Sequence, residues 1–590
     1  MPLRNISATV LLLLTVTAYG FRVIGARSSA IYAQDTQLVR QSLEFGQNLL
    51  GYQQQAEAGG GSKYPLTLTL YLTGIYGSTY VLGQIIGVFE SVSAFRDFLF
   101  TNREAIYLIA VLAFNLISVI LVPVIFFAQR SLNRSHCGWL AAGYAAFSLL
   151  LTQFGQQPRP HVPYATIAFV ALLLLVLTAE RIGGWRMLLA ATVASALTVG
   201  ALQSGILITV PFLLALAVRS FHDDRYHWSE LLSASTLGSL ALFAALCIAF
   251  YPGFVSEYGG VILAYISGSA SAFRLGAASH YFSLAMFDLA NIPQFVSRLA
   301  TYQPILTLLL PVSLLYFVIA LRGRLRLLLV ALPFPLLNLV IWSLFEGAFP
   351  RITAVLLPFM IFSSACLAED LILWLDARTG YKLRPVKPLA FMLLILPLAA
   401  TSARLVWVSA QPDTRTLAVE WINEYISPAE TLLLNFQLTT LLPTKDAIQR
   451  QKKDYPASIG TQWQWLAEQD GVPSPRFDIF NKMYWQSLEE SAEARHAFIG
   501  RAGIRYLLVG SQVARAETDE MINYARDNGR LLHTICPTHD SPVAELPDDM
   551  FYQAWAQAWQ LQRPGPFVAI YDLQQPPDDP KIDAYCLTNP

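Results

Sequence analysis

Apolar runs, each ended by a short polar or basic connection, fill the first 408 residues of the chain. A run of about 17–25 apolar residues spans the ~30 Å hydrocarbon layer as a helix. In lipid the helix is also the form that satisfies its own backbone. The runs predict about 11 transmembrane helices, near residues 6–24, 105–127, 138–153, 164–178, 187–201, 205–218, 231–251, 301–321, 327–344, 352–373 and 389–408. The first follows Arg4 and is trailed by small residues around Ala26–Ala30, as a cleaved leader would be. Its apolar stretch is long for a leader and favours an uncleaved anchor. Residues 187–218 read as two helices joined by a tight turn, because Arg186 and Arg219 flank the stretch at both ends.

Between the first two runs lies a long loop, residues 25–104, with the pattern of amphipathic helices. Tyr52–Lys63 is Gln-rich and then Gly-Gly-Gly-Ser, a flexible link. Tyr64-Pro65 opens an apolar, aromatic segment, Leu66–Phe89, expected to lie in or re-enter the interface. A further ordinary span is the alternative there. After residue 408 the long runs stop. A helix at Thr414–Ile426, strands at Thr431–Phe436 and Arg505–Val509, a helix at Val513–Asn528, and strands near Leu531–Ile535 and Phe567–Tyr571 alternate. That alternation predicts a small α/β domain. The expected fold class is thus an α-helical polytopic membrane protein with a C-terminal extracytoplasmic α/β domain. Its domains are residues 1–408, including the first loop, and 409–590.

Basic residues orient the spans, since short cytoplasmic connections are enriched in Lys and Arg. Arg130 and Arg134, Arg181 and Arg186, Arg219 and Arg225, Arg322 to Arg326, and Arg378 to Lys387 mark one side, the cytoplasm. The connections Phe154–Pro163, Gly200–Ser204, Pro252–Ala300 and Phe345–Arg351 alternate with them and belong outside. An odd number of spans then leaves the amino terminus in the cytoplasm and the C-terminal domain outside. Composition agrees with this class. The 590 residues are 54% hydrophobic and 14% charged, with a mean hydropathy of +0.45. A soluble chain carries about a quarter charged residues. The 40 basic and 40 acidic residues cancel, so there is no footprint for nucleic acid. The five cysteines show no metal-binding spacing. Cys536 and Cys586 fall together in the external domain and are a candidate disulfide.

Charges at membrane depth are expensive and so worth locating. Asp35 follows the first span. Arg159 and His161 lie in Pro158-Arg-Pro-His-Val-Pro-Tyr; Arg274, His280 and Tyr281 precede the eighth span; Glu346 and Arg351 lie in Phe345-Glu-Gly-Ala-Phe-Pro-Arg. All are expected at the outer ends of spans, where one carboxylate could face several cations. Each also has a plainer role open to it. Asp35 could cap a helix over Thr36–Leu50, and the arginines could snorkel to headgroups.

The layout resembles the GT-C glycosyltransferase superfamily. More closely it resembles the dolichyl-phosphate-mannose protein mannosyltransferase-like group, glycosyltransferase family 39, with the bacterial lipid A aminoarabinose and galacturonic acid transferases. Four features carry the resemblance: the acidic Asp35 after the first span, Lys63-Tyr-Pro-Leu ending the first loop, Ser279-His-Tyr-Phe before a late span, and Pro350-Arg-Ile-Thr-Ala-Val-Leu-Leu-Pro opening another. The C-terminal sequences Ala418-Val-Glu-Trp-Ile-Asn-Glu-Tyr-Ile and Gly503-Ile-Arg-Tyr-Leu-Leu-Val resemble external domains appended to such proteins. The family often has Asp-Glu where this chain has Asp35-Thr36, and Pro-Pro-Leu where it has Tyr64-Pro65-Leu66.

The resemblance implies sugar transfer from a polyprenyl-phosphate donor to an extracytoplasmic acceptor (protein, lipid or glycan), with inversion at the anomeric carbon. Asp35 would be the general base and Arg351 the first holder of the lipid phosphate. Arg159, His280, Arg274, Glu346 and Tyr64 would be further substrate contacts. It implies no cofactor, and nothing in the sequence supports a divalent metal. Two other classes stay open: a transporter or lipid flippase, and a catalytically inactive polysaccharide-assembly subunit. A transporter predicts internal repeats, and no convincing repeat is present.

Overall fold

The computed structural model describes residues 2–24, 26, 37–49, 64–131, 138–222, 225–253, 287–320, 325–345, 350–379, 387–436, 441–454, 476–482, 485–486, 491–511, 520–538 and 554–577. The chain forms two compact units. One comprises Met1–Val23, Asp35–Val88 and Leu108–Ala403; the other comprises Ile24–Gln34, Phe89–Tyr107 and Arg404–Pro590.

The first unit is helical. Six helices among the described residues are long and apolar enough to cross a membrane: Glu104–Gln129, His161–Ala179, Gly184–Ala201, Trp228–Phe250, Leu357–Arg378 and Leu389–Tyr425. Shorter apolar helices accompany them at Ala8–Val23, Gln203–Arg219, Pro304–Tyr316 and Pro333–Leu344. Each of the 11 runs read from the sequence contains a helix. Several are interrupted, and the interruptions have local causes. Ser148 breaks the third run because its hydroxyl accepts a hydrogen bond from Leu151 N (3.5 Å), capping a new helix over Leu149–Gly155. Pro333 and Pro335 restart the ninth, at a position where a missing N–H costs nothing.

The helix His161–Ala179 is central. It packs against Gly184–Ala201, Thr209–Arg219, Leu325–Ala331 and the 3-10 turn Pro350–Val355. Enclosure explains its composition, since a helix covered by other helices is apolar on all sides. Peripheral helices instead leave Leu12, Leu13, Val16, Leu308, Leu315 and Leu393 exposed, the face a hydrocarbon solvent covers. Leu66–Ile85 is one unbroken helix starting after Pro65; it packs on Gln37–Leu49 and Gly184–Ala201. Gly200 permits that approach: a β-carbon there would sit 2.2 Å from Thr67 Oγ1 and 2.5 Å from Phe250 Cβ. Small residues let backbones come this close in membrane helix packing.

A short hairpin pairs β1 (Phe221–His222) with β2 (Arg225–Tyr226). The second unit holds a six-stranded sheet built from β3 (Thr431–Leu434), β4 (Leu442–Pro443), β5 (Arg476–Asn481), β6 (Tyr506–Ser511), β7 (Arg530–Ile535) and β8 (Phe567–Asp572). The order is β4-β5-β3-β6-β8-β7. The first four neighbours run parallel, while β8 runs antiparallel to both β6 and β7. β7 carries a bulge between Leu531 and His533.

Alternate residues build two cores. Leu433, Leu507 and Val509 face Ile499, Met521 and Ile522 of the helices Ala492–Arg501 and Glu520–Asn528. Leu432, Leu434 and Leu508 face Val419 and Ile422 of the helix Thr414–Tyr425. Strands covered on both faces read as continuous apolar runs, as Thr431–Leu434 does. The sequence missed β4 and β5. In β5, Arg476, Asp478 and Asn481 interrupt the apolar run, and Arg450 pairs with Asp478.

Candidate functional site: a buried cationic turn

The site begins where Leu149–Gly155 ends. Gln156 N donates to Thr152 O (3.1 Å) and Arg159 N to Gln157 O (2.8 Å), closing a tight turn. Pro158 and Pro160 cannot continue the first helix, and Pro160 caps the second, which starts at His161. Tyr164 N donates to Pro160 O (2.9 Å). The result is unusual for a polar stretch: Gln156, Gln157, Arg159 and His161 are all buried, Arg159 to 1% exposure.

Arg351 arrives from elsewhere in the chain. It sits half-buried in the 3-10 turn Pro350–Val355, which leads into Leu357–Arg378. That turn packs against both Leu149–Gly155 and His161–Ala179. Arg159 stands two residues before His161, at the start of that same helix. The His161 Nδ1 is buried without a hydrogen-bond partner among the described residues. Two cations and an imidazole thus sit on elements packed together near helix starts, and helix amino termini favour negative charge. Such an arrangement suits an anion with several oxygens, because each arginine offers a planar fork of donors. One turn deeper, the Tyr164 hydroxyl accepts from Ser204 Oγ (3.2 Å).

The other predicted residues fall as follows. Asp35, Arg274, His280, Glu346 and Cys586 lie outside the described residues. Tyr64 is half-buried just before the helix Leu66–Ile85; its carbonyl accepts from Gln41 Nε2 (2.9 Å). Cys536 is disulfide-bonded, whereas Cys247 and Cys366 are buried free thiols. Among the described residues no cluster of three or more His, Cys, Asp or Glu side chains could hold a metal ion.

Sequence reasoning placed no weight on three further residues. His161 stands in the motif beside Arg159, where the sequence assigns it no substrate contact of its own. Arg22 is fully buried near the end of Pro2–Val23, where its Nη2 donates to Ala145 O (2.9 Å). Asn115 is fully buried within Arg103–Val119 and donates to Gly155 O (2.7 Å). A lone polar residue inside an apolar run gives no signal of the neighbour that it will meet.

Fold and site together define a polytopic helical membrane protein with an appended α/β domain and a buried cationic turn at its helix ends. The chain aligns at 10% identity with the crystal structure of ArnT from Cupriavidus metallidurans bound to undecaprenyl phosphate, covering 97% of this chain and 99% of that one, with a TM-score of 0.45. The apo form of the same protein aligns at 9% identity over 96% and 98%, with a TM-score of 0.44. No family model matches the chain, and no curated protein matches it. At that identity and TM-score, function has to come from the chain's own residues.

Proposed function

We propose that the chain is a GT-C-type membrane glycosyltransferase that moves a sugar from a polyprenyl-phosphate donor to an extracytoplasmic acceptor. The observation that carries this reading is the packing of the turn that holds Arg351 against the two helix ends that flank Arg159 and His161. A lipid-linked phosphate is the anion that a membrane-embedded cationic site of this kind fits. The motif set Asp35, Lys63-Tyr-Pro-Leu, Ser279-His-Tyr-Phe and Pro350-Arg supports the same class.

The chemistry asks little of the protein. The acceptor hydroxyl attacks the anomeric carbon while the bond from that carbon to the phosphate oxygen breaks, with inversion. Asp35 takes the hydroxyl proton as general base. The departing phosphate gains charge, and Arg351 and Arg159 hold it with forked hydrogen bonds that strengthen as that charge grows. Arg274, His280, Glu346 and Tyr64 are further contacts for phosphate or sugar. The amino terminus lies in the cytoplasm, and the C-terminal domain lies outside, where Cys536 pairs with Cys586.

The test replaces Asp35 by Asn and Arg351 by Ala separately and measures transfer from a polyprenyl-phosphate sugar in membranes. Loss of a general base is expected to cost about 10²–10⁴-fold, and loss of a charge-stabilising donor about 10²–10³-fold. Full activity in D35N removes Asp35 from the mechanism, and unchanged activity in R351A removes the phosphate role.

A further inference from the structure

The turn that carries Arg159 is gripped from two other helices. Asn115 Nδ2 reaches across from Arg103–Val119 to donate to Gly155 O at 2.7 Å and also bonds Val111 O at 3.0 Å. Gln156 Nε2 donates to Phe21 O, at the end of the first helix, at 3.2 Å. Gly155 lies directly against the stem of Arg22. A β-carbon on Gly155 would come 2.7 Å from Arg22 Cγ and 2.8 Å from both Arg22 Cβ and Asn115 Oδ1.

The guanidinium of Arg22 is anchored in turn by the bond from Nη2 to Ala145 O, while its Nε and Nη1 find no acceptor among the described residues. A fully buried cation with two unsatisfied donors is costly, and pure packing would be served better by an apolar side chain. The contacts made to the turn itself fall on residues 155 and 156, three to four positions before Arg159.

We infer that Asn115, Gln156 and Arg22 are positioning residues: they latch the Gly155–Gln156 corner so that Arg159 is held at the anion site without touching the ligand themselves. This inference rests on the phosphate role proposed for Arg159. Gly155 is the seat of the latch, since no larger residue fits between Arg22 and Asn115. Displacing the corner moves the guanidinium, and a shift of about 1 Å in a binding group is enough to cost up to ~10²-fold.

A double-mutant cycle on full-length protein in detergent tests the latch. Binding of undecaprenyl phosphate is titrated for N115L, G155A, R159A and the pairs N115L/R159A and G155A/R159A, with gel filtration confirming a monodisperse fold. N115L and G155A are each expected to weaken binding about tenfold or more, yet to add nothing once Arg159 is already Ala. If N115L fails to fold, Q156M carries the same test, as it removes the bond to Phe21 O while conserving volume. Independent, multiplying losses, or unchanged binding in N115L and G155A while R159A is weakened, overturn the latch alone. Unchanged binding in R159A overturns the phosphate role itself, and the latch with it.

Discussion

Arg159 is held at 1% exposure between two prolines, so its geometry, more than its charge, sets what it contributes. Arg159→Lys keeps the charge and loses the fork. Initial transfer rates are expected to fall at least about tenfold, the size of one charge-assisted hydrogen bond. A full rate in the Lys variant would show that a point charge suffices. A second single-residue effect lies in the other unit. Asp413 caps the helix Thr414–Tyr425, its Oδ1 accepting from Arg415 N and Nε at 2.8 Å. Gly565 closes over this cap with φ +105°, and a β-carbon there would meet Thr414 Oγ1 at 2.1 Å. Gly565→Ala is therefore expected to destabilise the α/β domain by about 1–3 kcal/mol, visible as faster proteolysis of that domain. Unaltered proteolysis would mean the loop relaxes freely. At this scale the sequence was informative where a residue broke a rule. Arg159 and Arg351 stood out because arginine is depleted from outer connections, the side to which the charge alternation assigns both. Arg22 is a charge inside the first apolar run and Asn115 an amide inside the second, yet only tertiary packing reveals their partners.

At the scale of elements, apolar length located all 11 helical runs, because hydrocarbon thickness is a one-dimensional constraint. It did not locate the internal breaks. Ser148 and Leu332 interrupt runs whose mean character stays apolar. A cap or a proline acts on hydrogen bonding, which an apolar tally ignores. Element contacts also depend on single small residues. Gly200 brings Gly184–Ala201 onto Leu66–Ile85 and Ala234–Phe250. Gly200→Val overpacks that junction and is expected to cost about 1–3 kcal/mol. The measurement is the temperature at which the detergent-solubilised protein loses its monodisperse peak. An unshifted temperature would show that the junction has slack. In the α/β domain, β5 stayed hidden because its polar residues serve partners such as Arg450, whereas β6 and β8 were legible as unbroken apolar runs.

For the molecule as a whole, the charge alternation of the connections makes one topological prediction. A reporter enzyme that is active only outside the cytoplasm, fused after Pro590, is expected to be active, and one fused ahead of Met1 inactive. The reverse result would invert every assignment of outer and inner ends, and with it the placement of Arg159 and Arg351 beside an external acceptor. The class of fold was legible because composition changes sharply near residue 409. The strand order was not, since β8 inserts between β6 and β7.

The two margins of that sheet have a consequence for crowding. One is only Leu442–Pro443, whose proline lacks an N–H to offer a neighbour; the other begins with Arg530 and is bent by its bulge. Among the described residues, neither presents the long, flat row of open amides on which another chain can zip. Where copies crowd side by side on a bilayer, these two margins offer each other little to extend.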